Sequence, residues 1–403
     1  MSTKTKTKAT KKKVRANGEG TIRQRKDGIW EGLYTHNGKR KSVYGKTRDI
    51  VVAKLNKVLH DIRAGSYIEN HSLTFGQWLD KWLKTYAKPN VRASTYASYE
   101  TYIRGHVKPA LGKIKLQNLS TDHLQEFLNE KQEDGSRLDG GKGGLSSKTI
   151  LNLHRMIHLA LKQACRIGLI KNNVADDVIK PKQIRREIDA FTVDEQERIV
   201  NACLKHRLGV GIILALYTGV RLGELLGLLW SDIDLDREII TIRQNLGRVP
   251  TPDDPNQKTK IIVGPPKTAK SQREIPIPIQ DFLIPLMVKL RKTQCEERLL
   301  YGADYLNEGY VICNERGKHI EPRTYTDFFK KVLKEAGVPK TNFHVTRHTM
   351  ATRALELGND VKVVADILGH ADASTTLNKY AHALPDHKRK SMDKFSIPLR
   401  AKI

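Results

Sequence analysis

The chain has 403 residues, of which 39% are hydrophobic, so it can form two or three domains with at least one buried core. Its 71 Lys and Arg exceed its 44 Asp and Glu, and the resulting net charge of +27 favours a polyanionic partner such as nucleic acid. The sequence argues against a membrane span, a secretory signal, a disulfide framework and a zinc site, because it lacks a long apolar run and its four cysteines are scattered.

The N-terminal segment is the most basic part of the chain. The first 70 residues hold 18 Lys or Arg against 6 Asp or Glu. We expect residues 1–16 to be disordered until they meet a phosphate backbone, since so charged a segment cannot bury a core. A tail that serves only solubility is the alternative, but it fits less well because the rest of the chain is also basic.

Residues 17–70 predict a small sheet followed by a helix. An Asp-Gly pair at position 27 and an Asn-Gly pair at position 37 favour tight hairpin turns between short β-rich segments. We therefore expect a three-stranded antiparallel sheet and then a helix that is capped by Thr47 and reaches about Ala64. The predicted strands are residues 20–24, 29–35 and 39–44.

Basic side chains are expected to share one face of this sheet, where they would enter a DNA groove. The alternative is a sheet that only docks against the rest of the protein. We favour DNA binding because the surrounding segment is so basic. The residues concerned are Arg23, Arg25, Lys39 and Lys41.

Residues 73–180 predict a helical domain. Apolar residues recur at helical spacing around Trp78 and again around Tyr99, as expected for stripes that face a core. Ser147 to about Ile167 predicts a further amphipathic helix. No phosphate-binding loop is predicted in the glycine-rich segment before it, because the GxxxxGK[ST] spacing is absent.

A linker is predicted at residues 181–190, since Pro181 stops a helix and the neighbouring charges favour solvent. Residues 191–384 alternate helical runs with β-rich segments, and their first helix is expected to be capped by Thr192. They predict a mixed α+β domain, which makes the fold class multidomain and mainly α with small β-sheets. The predicted β-segments are residues 237–244, 259–263, 272–277 and 310–313.

A cluster of polar residues near the C-terminus carries the chemistry. His344 and Arg347 stand at i and i+3 and share one face of a predicted helix. Thr341 and Asn342 are candidate caps, which would place the cluster near the electropositive start of that helix.

A second predicted helix, about residues 360–368, ends before His370, and a short third helix then reaches Tyr380. Arginine suits the clamping of a phosphodiester because its fork matches the phosphate oxygens. Tyrosine has an ordinary pKa of about 10, so it would need nearby cations and a proton acceptor to act as a nucleophile. The cluster offers both.

A metal site is not expected here. His344 and His348 have the i, i+4 spacing of HExxH zinc proteases, but Val345 stands where the catalytic Glu would be. We therefore predict neither a metal nor a cofactor.

Three separated motifs stand out along the chain. They are LYTGVRLGEL at 216–225, KTAKSQR at 267–273, and a third that combines HVTRH at 344–348, LGH at 368–370 and Tyr380. Together they resemble the motifs of the tyrosine recombinases, the phage integrase family. The resemblance covers about residues 73–395. The N-terminal sheet is also similar, less specifically, to the arm-binding module of integrases from temperate phages and Gram-positive conjugative transposons.

The resemblance implies that Tyr380 attacks the scissile phosphate, giving a 3′-phosphotyrosyl bond and a free 5′ hydroxyl. Lys267, on a β-hairpin turn, would protonate the leaving oxygen. Lys270 is the alternative acid, but the residues that follow Lys267 keep the family spacing.

The other matching residues would hold the phosphate. Arg221 and Arg347 would clamp its oxygens, and His370 would hydrogen-bond to it. His344 would handle the tyrosine proton, and Glu224 would support Arg221.

One position departs from the family pattern. Thr346 replaces the usual leucine between the histidine and the arginine of the third motif. We expect an adjustment of packing there and no loss of activity.

The resemblance implies a site-specific DNA recombinase that integrates and excises a mobile element. Its partners would be double-stranded DNA with core and arm-type attachment sites, three further copies of the chain in a tetramer that exchanges strands through a Holliday junction, and an accessory DNA-bending or excision factor. Residues 385–403 would contact a neighbouring protomer, or alternatively cover their own domain. The enzyme would act in the bacterial cytoplasm at the nucleoid, with no membrane partner.

Two other functions stay open at this point. A type IB topoisomerase-like enzyme would share the chemistry, but DNA relaxation needs no second DNA-binding module. A non-catalytic DNA-binding protein would share the fold, but all six polar positions of the motifs are filled. The sequence favours a conjugative transposon over a phage as the element, on the N-terminal similarity alone.

Overall fold

The computed structural model describes residues 20–65, 67–183, 189–251, 256–266, 269–277, 282–370 and 372–380. The chain divides after Gln183 into two compact units. Both are mainly helical with small antiparallel sheets, so the predicted fold class is confirmed. The predicted basic tail at 1–16 and the predicted contact segment at 385–403 lie outside the described residues.

The N-terminal sheet and helix form as predicted. Asn37 and Gly38 both have positive φ, of 49° and 73°, as the tight turn between the second and third strands requires. The hydroxyl of Thr47 caps the helix by accepting from the backbone N–H of Ile50. The elements are β1 (Thr21–Gln24), β2 (Trp30–His36), β3 (Lys39–Gly45) and α1 (Arg48–Arg63), and the strand order is β1-β2-β3.

The prediction that four basic residues share one face of this sheet is wrong. The register pairs Arg23 with Glu31 on β2, and Lys41 with Tyr34 on β2. Side chains alternate between faces along a strand, and positions 31 and 34 are three residues apart, so Arg23 and Lys41 lie on opposite faces. Lys39 pairs with His36 and therefore shares the face of Lys41.

The two faces have different environments. Helix α1 covers the face that carries Gly32, since a Cβ there would lie 2.8 Å from the Val51 side chain. Lys41 is on this covered side and forms a 2.7 Å ion pair with Glu69. The open face carries Arg23, and Arg25 joins it by lying over the ring of Tyr44.

The helical part of the first unit packs around Trp78, whose indole N–H donates to the carbonyl of Ala160 at 3.0 Å. Two helices continue as π-helical turns, which the apolar spacing of the sequence did not predict. The elements are α2 (Phe75–Trp82) with its π-turn Leu83–Ala87, α3 (Ala93–Tyr102) with its π-turn Ile103–Val107, α4 (Lys108–Leu111), α5 (Thr121–Glu130) and α6 (Ser147–Arg166).

The helices of the second unit surround a central apolar one. The bounds are α7 (Val193–Cys203), α8 (Gly209–Thr218), α9 (Leu222–Leu226), α10 (Leu283–Tyr301), α11 (Pro322–Glu335), α12 (His344–Glu356), α13 (Val361–Leu368) and α14 (Ala373–Tyr380). Helix α8 is buried along most of its length and packs against α7, α10 and α12. The predicted Thr192 cap forms, reciprocally with Glu195.

The strands of the second unit form two small sheets, ordered β4-β5-β8 and β6-β7. Three of the four predicted β-segments contain a strand. Residues 310–313 do not, because only isolated bridges form at Tyr310 and Cys313. The bounds are β4 (Ile233–Asp234), β5 (Ile239–Ile242), β6 (Asn245–Pro250), β7 (Thr259–Gly264) and β8 (Arg273–Pro276). No described helix is long and apolar enough to span a membrane.

Candidate active site

Arg221 stands at the start of α9, where the chain leaves the tight turn that ends α8. Its Nη1 donates to Oε1 of Glu224 at 2.6 Å, and its backbone N–H donates to Oε2 at 3.0 Å. Glu224 is only 2% exposed at its side chain, whereas that of Arg221 is 34% exposed. The buried carboxylate therefore anchors an arginine that still reaches solvent.

Arg347 lies at the floor of the site, on α12, with 1% of its surface exposed. Its Nη1 donates to the carbonyl oxygen of Gly219 at 2.9 Å, and its Nη2 donates to that of Leu368. The arginine thus ties α12 both to the turn before Arg221 and to the end of α13.

His344 is exposed one helical turn before Arg347. The N-cap position is Phe343, so neither predicted cap residue occupies it. Asn342 nevertheless accepts from the backbone N–H of His344 at 3.0 Å through its Oδ1, which satisfies one donor of the first helical turn. The ring of His344 meets that of His348 edge-on, with centroids 4.8 Å apart.

Thr346, the departure from the family pattern, is fully buried. Its hydroxyl donates to the carbonyl of Phe343 at 2.8 Å. The polar group is therefore satisfied within its own helix, as the expected packing adjustment requires.

Three arginines bind the end of α13 through three successive carbonyl groups. Arg273 donates from Nε to Ile367 at 2.6 Å, and Arg221 donates from Nη2 to Gly369 at 3.4 Å. The carbonyl of Leu368 between them accepts from Arg347. These carbonyls lie at the negative end of the helix dipole and lack partners within the helix, so guanidinium groups are well suited to them.

His370 follows directly on this arginine-bound turn. Its Nδ1 lies 2.7 Å from the hydroxyl of Thr376, which is buried on α14. Tyr380 ends the same helix four residues later. The side chain of Tyr380 lies outside the described residues.

Glu224 is held as a carboxylate. Burial alone would raise the pKa of its carboxyl group, but the hydrogen bond and charge of Arg273 and the charge of Arg221 outweigh burial and lower that pKa. Arg273 donates to both carboxylate oxygens, from Nη2 to Oε2 at 3.0 Å and from Nη1 to Oε1 at 3.3 Å. At neutral pH the site therefore contains a buried anion between two cations.

The structure joins three of the seven predicted catalytic and supporting side chains in one network, and His370 directly follows it in the chain. Arg221, Glu224, Arg347 and the backbone of the turn before His370 form one network. Lys267 lies outside the described residues. Among the described residues, no group of three or more His, Cys, Asp or Glu side chains could hold a metal ion.

Two residues of this network were missed as functional candidates. Arg273 entered the sequence argument only as a spacing marker, and Thr376 did not enter it. The partners of a buried arginine between a hairpin and two helices lie far from it in the sequence. No spacing pattern predicts them, so they can be identified only in the folded structure.

The turn that supplies the Gly219 carbonyl depends on its glycine, which has a φ of 66°. A Cβ there would lie 2.8 Å from Leu368. We expect Gly219→Ala to lower the free energy of unfolding by about 1–3 kcal/mol, from left-handed strain and this clash. Gly309→Ala, at a φ of 76° with open space around it, is the control in urea unfolding. Equal losses in the two variants would contradict a steric role for the turn.

Comparisons with known proteins identify the family of the chain. The family model described as "Phage integrase family" matches residues 189–387, and that described as "Phage integrase, N-terminal SAM-like domain" matches residues 74–132. A protein of Caldanaerobacter subterraneus subsp. tengcongensis named "Tyrosine recombinase XerC-like" is 34% identical over 370 residues, covering 89% of this chain and 92% of that protein.

Solved structures share the fold. The Tn1549 transposon integrase in complex with a circular intermediate DNA matches with a TM-score of 0.64 and 23% identity, over 80% of this chain and 99% of that one. A lambda integrase from a tetramer bound to a Holliday junction matches with a TM-score of 0.53 and 19% identity, over 90% and 97%.

The chain belongs to the phage integrase family of tyrosine recombinases. It is a tyrosine site-specific DNA recombinase, an enzyme that cleaves and rejoins DNA strands. The comparisons do not favour either alternative function, DNA relaxation or non-catalytic DNA binding.

Proposed function

We propose that Tyr380 is the nucleophile and that Arg221, Arg347 and His370 bind the scissile phosphate. The observation that carries this assignment is the convergence of both arginines on the turn that ends in His370, at the start of the helix that ends in Tyr380. Arg221 is the more exposed arginine, so it would meet the phosphate first, while buried Arg347 fixes the floor.

The chemical step is a transesterification. The Tyr380 oxygen bonds to phosphorus while the bond to the 5′ oxygen breaks, His344 accepts the phenolic proton, and Lys267 protonates the departing 5′ oxygen. Attack by the 5′ hydroxyl of another strand reverses these transfers and releases Tyr380. The two arginines stabilise the charge that develops on the non-bridging oxygens. The reaction needs no external energy source, because each step exchanges one phosphodiester bond for another.

The assembly is also a proposal. The chain would act as a tetramer on DNA that carries core and arm-type sites. It would exchange DNA strands through a Holliday junction, a proposal supported by the structure of a lambda integrase tetramer bound to such a junction. Residues 385–403 would contact a neighbouring protomer, and an accessory DNA-bending or excision factor would set direction. The site of action would be the bacterial cytoplasm, at the nucleoid.

The domain roles follow from the same proposal. Residues 17–70 would read arm-type DNA after the basic tail at 1–16. Residues 73–180 would bind the core site, and 191–384 would carry the catalysis beyond a linker at 181–190. The match of a phage integrase N-terminal SAM-like model to residues 74–132 supports the second assignment.

Covalent trapping tests the catalytic assignment. Full-length protein is incubated in EDTA, without ATP, with nicked duplexes that carry the end sequences of the mobile element encoding it. We expect a denaturant-stable protein–DNA adduct, and mass spectrometry of the digested adduct should place the nucleotide on the Tyr380 peptide. Attachment to another residue would overturn the nucleophile assignment.

The sheet register yields a separate prediction for arm-type DNA. Arg40 pairs with Thr35, so it is on the open face with Arg23 and is exposed. We expect Arg40→Ala to reduce the slope of log affinity against log salt by about one, as loss of a phosphate contact does. Lys41→Ala is the matched control on the covered face, and an equal effect of the two variants would argue against the open face as the DNA surface.

A further inference from the structure

A buried arginine outside the proposed phosphate-binding pair links the parts of the active site. The side chain of Arg273 is 7% exposed, although it carries a permanent charge at the start of β8. Such a side chain is costly to bury without partners, so its acceptors indicate what it holds in place.

The acceptors of Arg273 belong to three separate segments. Its guanidinium binds both oxygens of Glu224 and the carbonyl of Ser271, the latter at 2.9 Å. Its Nε binds the carbonyl of Ile367 at the end of α13. A Cβ on Gly369 would lie 3.0 Å from the Cδ of Arg273, so the backbone before His370 packs directly on this side chain.

The carboxylate of Glu224 is thereby shared between two cations. Oε1 accepts from Arg221 at 2.6 Å and from Arg273 at 3.3 Å, and Oε2 accepts from the Arg221 backbone and from Arg273. If Arg273 were absent, the whole charge of Glu224 would face Arg221. A fully paired Arg221 would then stabilise less well the charge that develops on the scissile phosphate in the transition state, so the rate of cleavage would fall.

We propose that Arg273 is a positioning residue that shares the Glu224 carboxylate with Arg221 and holds the turn before His370, so that both groups face the scissile phosphate in their active arrangement. Its effect is on the rate of strand cleavage and not on the affinity for DNA. This inference rests on the proposed roles of Arg221 and His370.

The test measures single-turnover formation of the covalent adduct on nicked element-end duplexes, together with the Kd for the same DNA and the Tm of each variant. We expect Arg273→Met to slow adduct formation by about tenfold or more at nearly unchanged Kd, since small misplacements of catalytic groups have effects of that size. Arg273→Lys retains the positive charge but lacks the forked guanidinium group. Its rate of adduct formation should therefore lie between those of the wild type and Arg273→Met.

A double variant separates charge sharing from simple support. In Arg273→Met with Glu224→Gln, the anion facing Arg221 is gone, so adduct formation should recover by about threefold or more relative to Arg273→Met alone. A purely structural role predicts a double variant slower than either single one, and that result would overturn the proposal.

Arg207 provides the matched control. It forms a partly buried, bidentate ion pair with Glu297, and it also donates to the carbonyl oxygen of Cys313. Arg207→Met should lower Tm without slowing adduct formation at a temperature where the protein stays folded.

If Arg273→Met cleaves as fast as the wild type or as Arg207→Met, Arg273 is not a positioning residue. If Arg273→Met does not fold, Arg273→Lys takes its place. Its rate of adduct formation is then compared with that of the double variant Arg273→Lys with Glu224→Gln, and the same two outcomes apply. No adduct from the wild type would instead count against the proposed function.

Discussion

Tyr380→Phe should abolish the covalent adduct while DNA binding persists. The substitution removes one oxygen from a side chain at the end of α14 and leaves its ring in place. Because no bond to phosphorus can form without that oxygen, we expect adduct formation to fall by roughly four or more orders of magnitude, as losses of nucleophiles do. Denaturing gels of the trapped complex and native gels of the bound complex measure the two properties separately.

Tyr217→Phe is the matched control for that experiment. Tyr217 lies in α8, four residues before Arg221, and burial raises the pKa of its phenol above the ordinary value. A phenol with a raised pKa holds its proton more tightly and is therefore a poor nucleophile. The ring of Tyr217 packs edge-on against that of Phe282. We expect this variant to form the adduct like the wild type. An adduct that survives Tyr380→Phe and disappears with Tyr217→Phe would reverse the assignment.

The elements of the fold were predictable where local signals are strong. The Asn-Gly turn at position 37 and the Thr47 and Thr192 caps act over a few residues, so the sheet, α1 and α7 appear as expected. Strand β6 was missed because Leu246 is its one buried apolar residue, and a short strand with two glycine or proline positions gives little alternation.

The basic face of the N-terminal sheet shows how the sequence misleads. Arg23 and Lys41 are on opposite faces because side-chain direction depends on register, which turn geometry fixes only once the strands pair. Composition could predict that the segment is basic. It could not predict that Lys41 is engaged by Glu69.

In the active site, too, relations within one segment could be predicted and contacts between distant segments could not. Spacing within one helix was enough to relate His344 to Arg347. Contacts over long sequence separations were not predictable, such as the bond from Arg347 to Gly219 and the bond from Arg273 to Ile367. These contacts follow from how α8, α12 and α13 pack, which no single segment encodes.

Glu224→Ala should be the most destabilising change in the site. It would leave the guanidinium groups of Arg221 and Arg273 facing each other with no anion between them. Removing one partner from a buried ion pair typically costs about 3–5 kcal/mol, and here two cations lose their partner. We expect a loss of that order in urea unfolding at neutral pH, together with loss of adduct formation, because Arg221 would no longer be anchored.

Glu224→Gln separates charge from shape, and the pH dependence of its effect is defined by the lowered pKa of Glu224. A carboxyl group whose pKa is depressed in the folded state stabilises the fold above its unfolded pKa, and this contribution is lost as the pH falls through the folded value. The wild type should therefore exceed Glu224→Gln in stability at neutral pH, and the gap should narrow once the pH falls below about 4, the ordinary range of a Glu carboxyl. Urea unfolding of both proteins at neutral and acidic pH measures the gap. A gap that is constant with pH would mean that shape alone matters at this position, and it would remove the electrostatic basis for the role of Arg273.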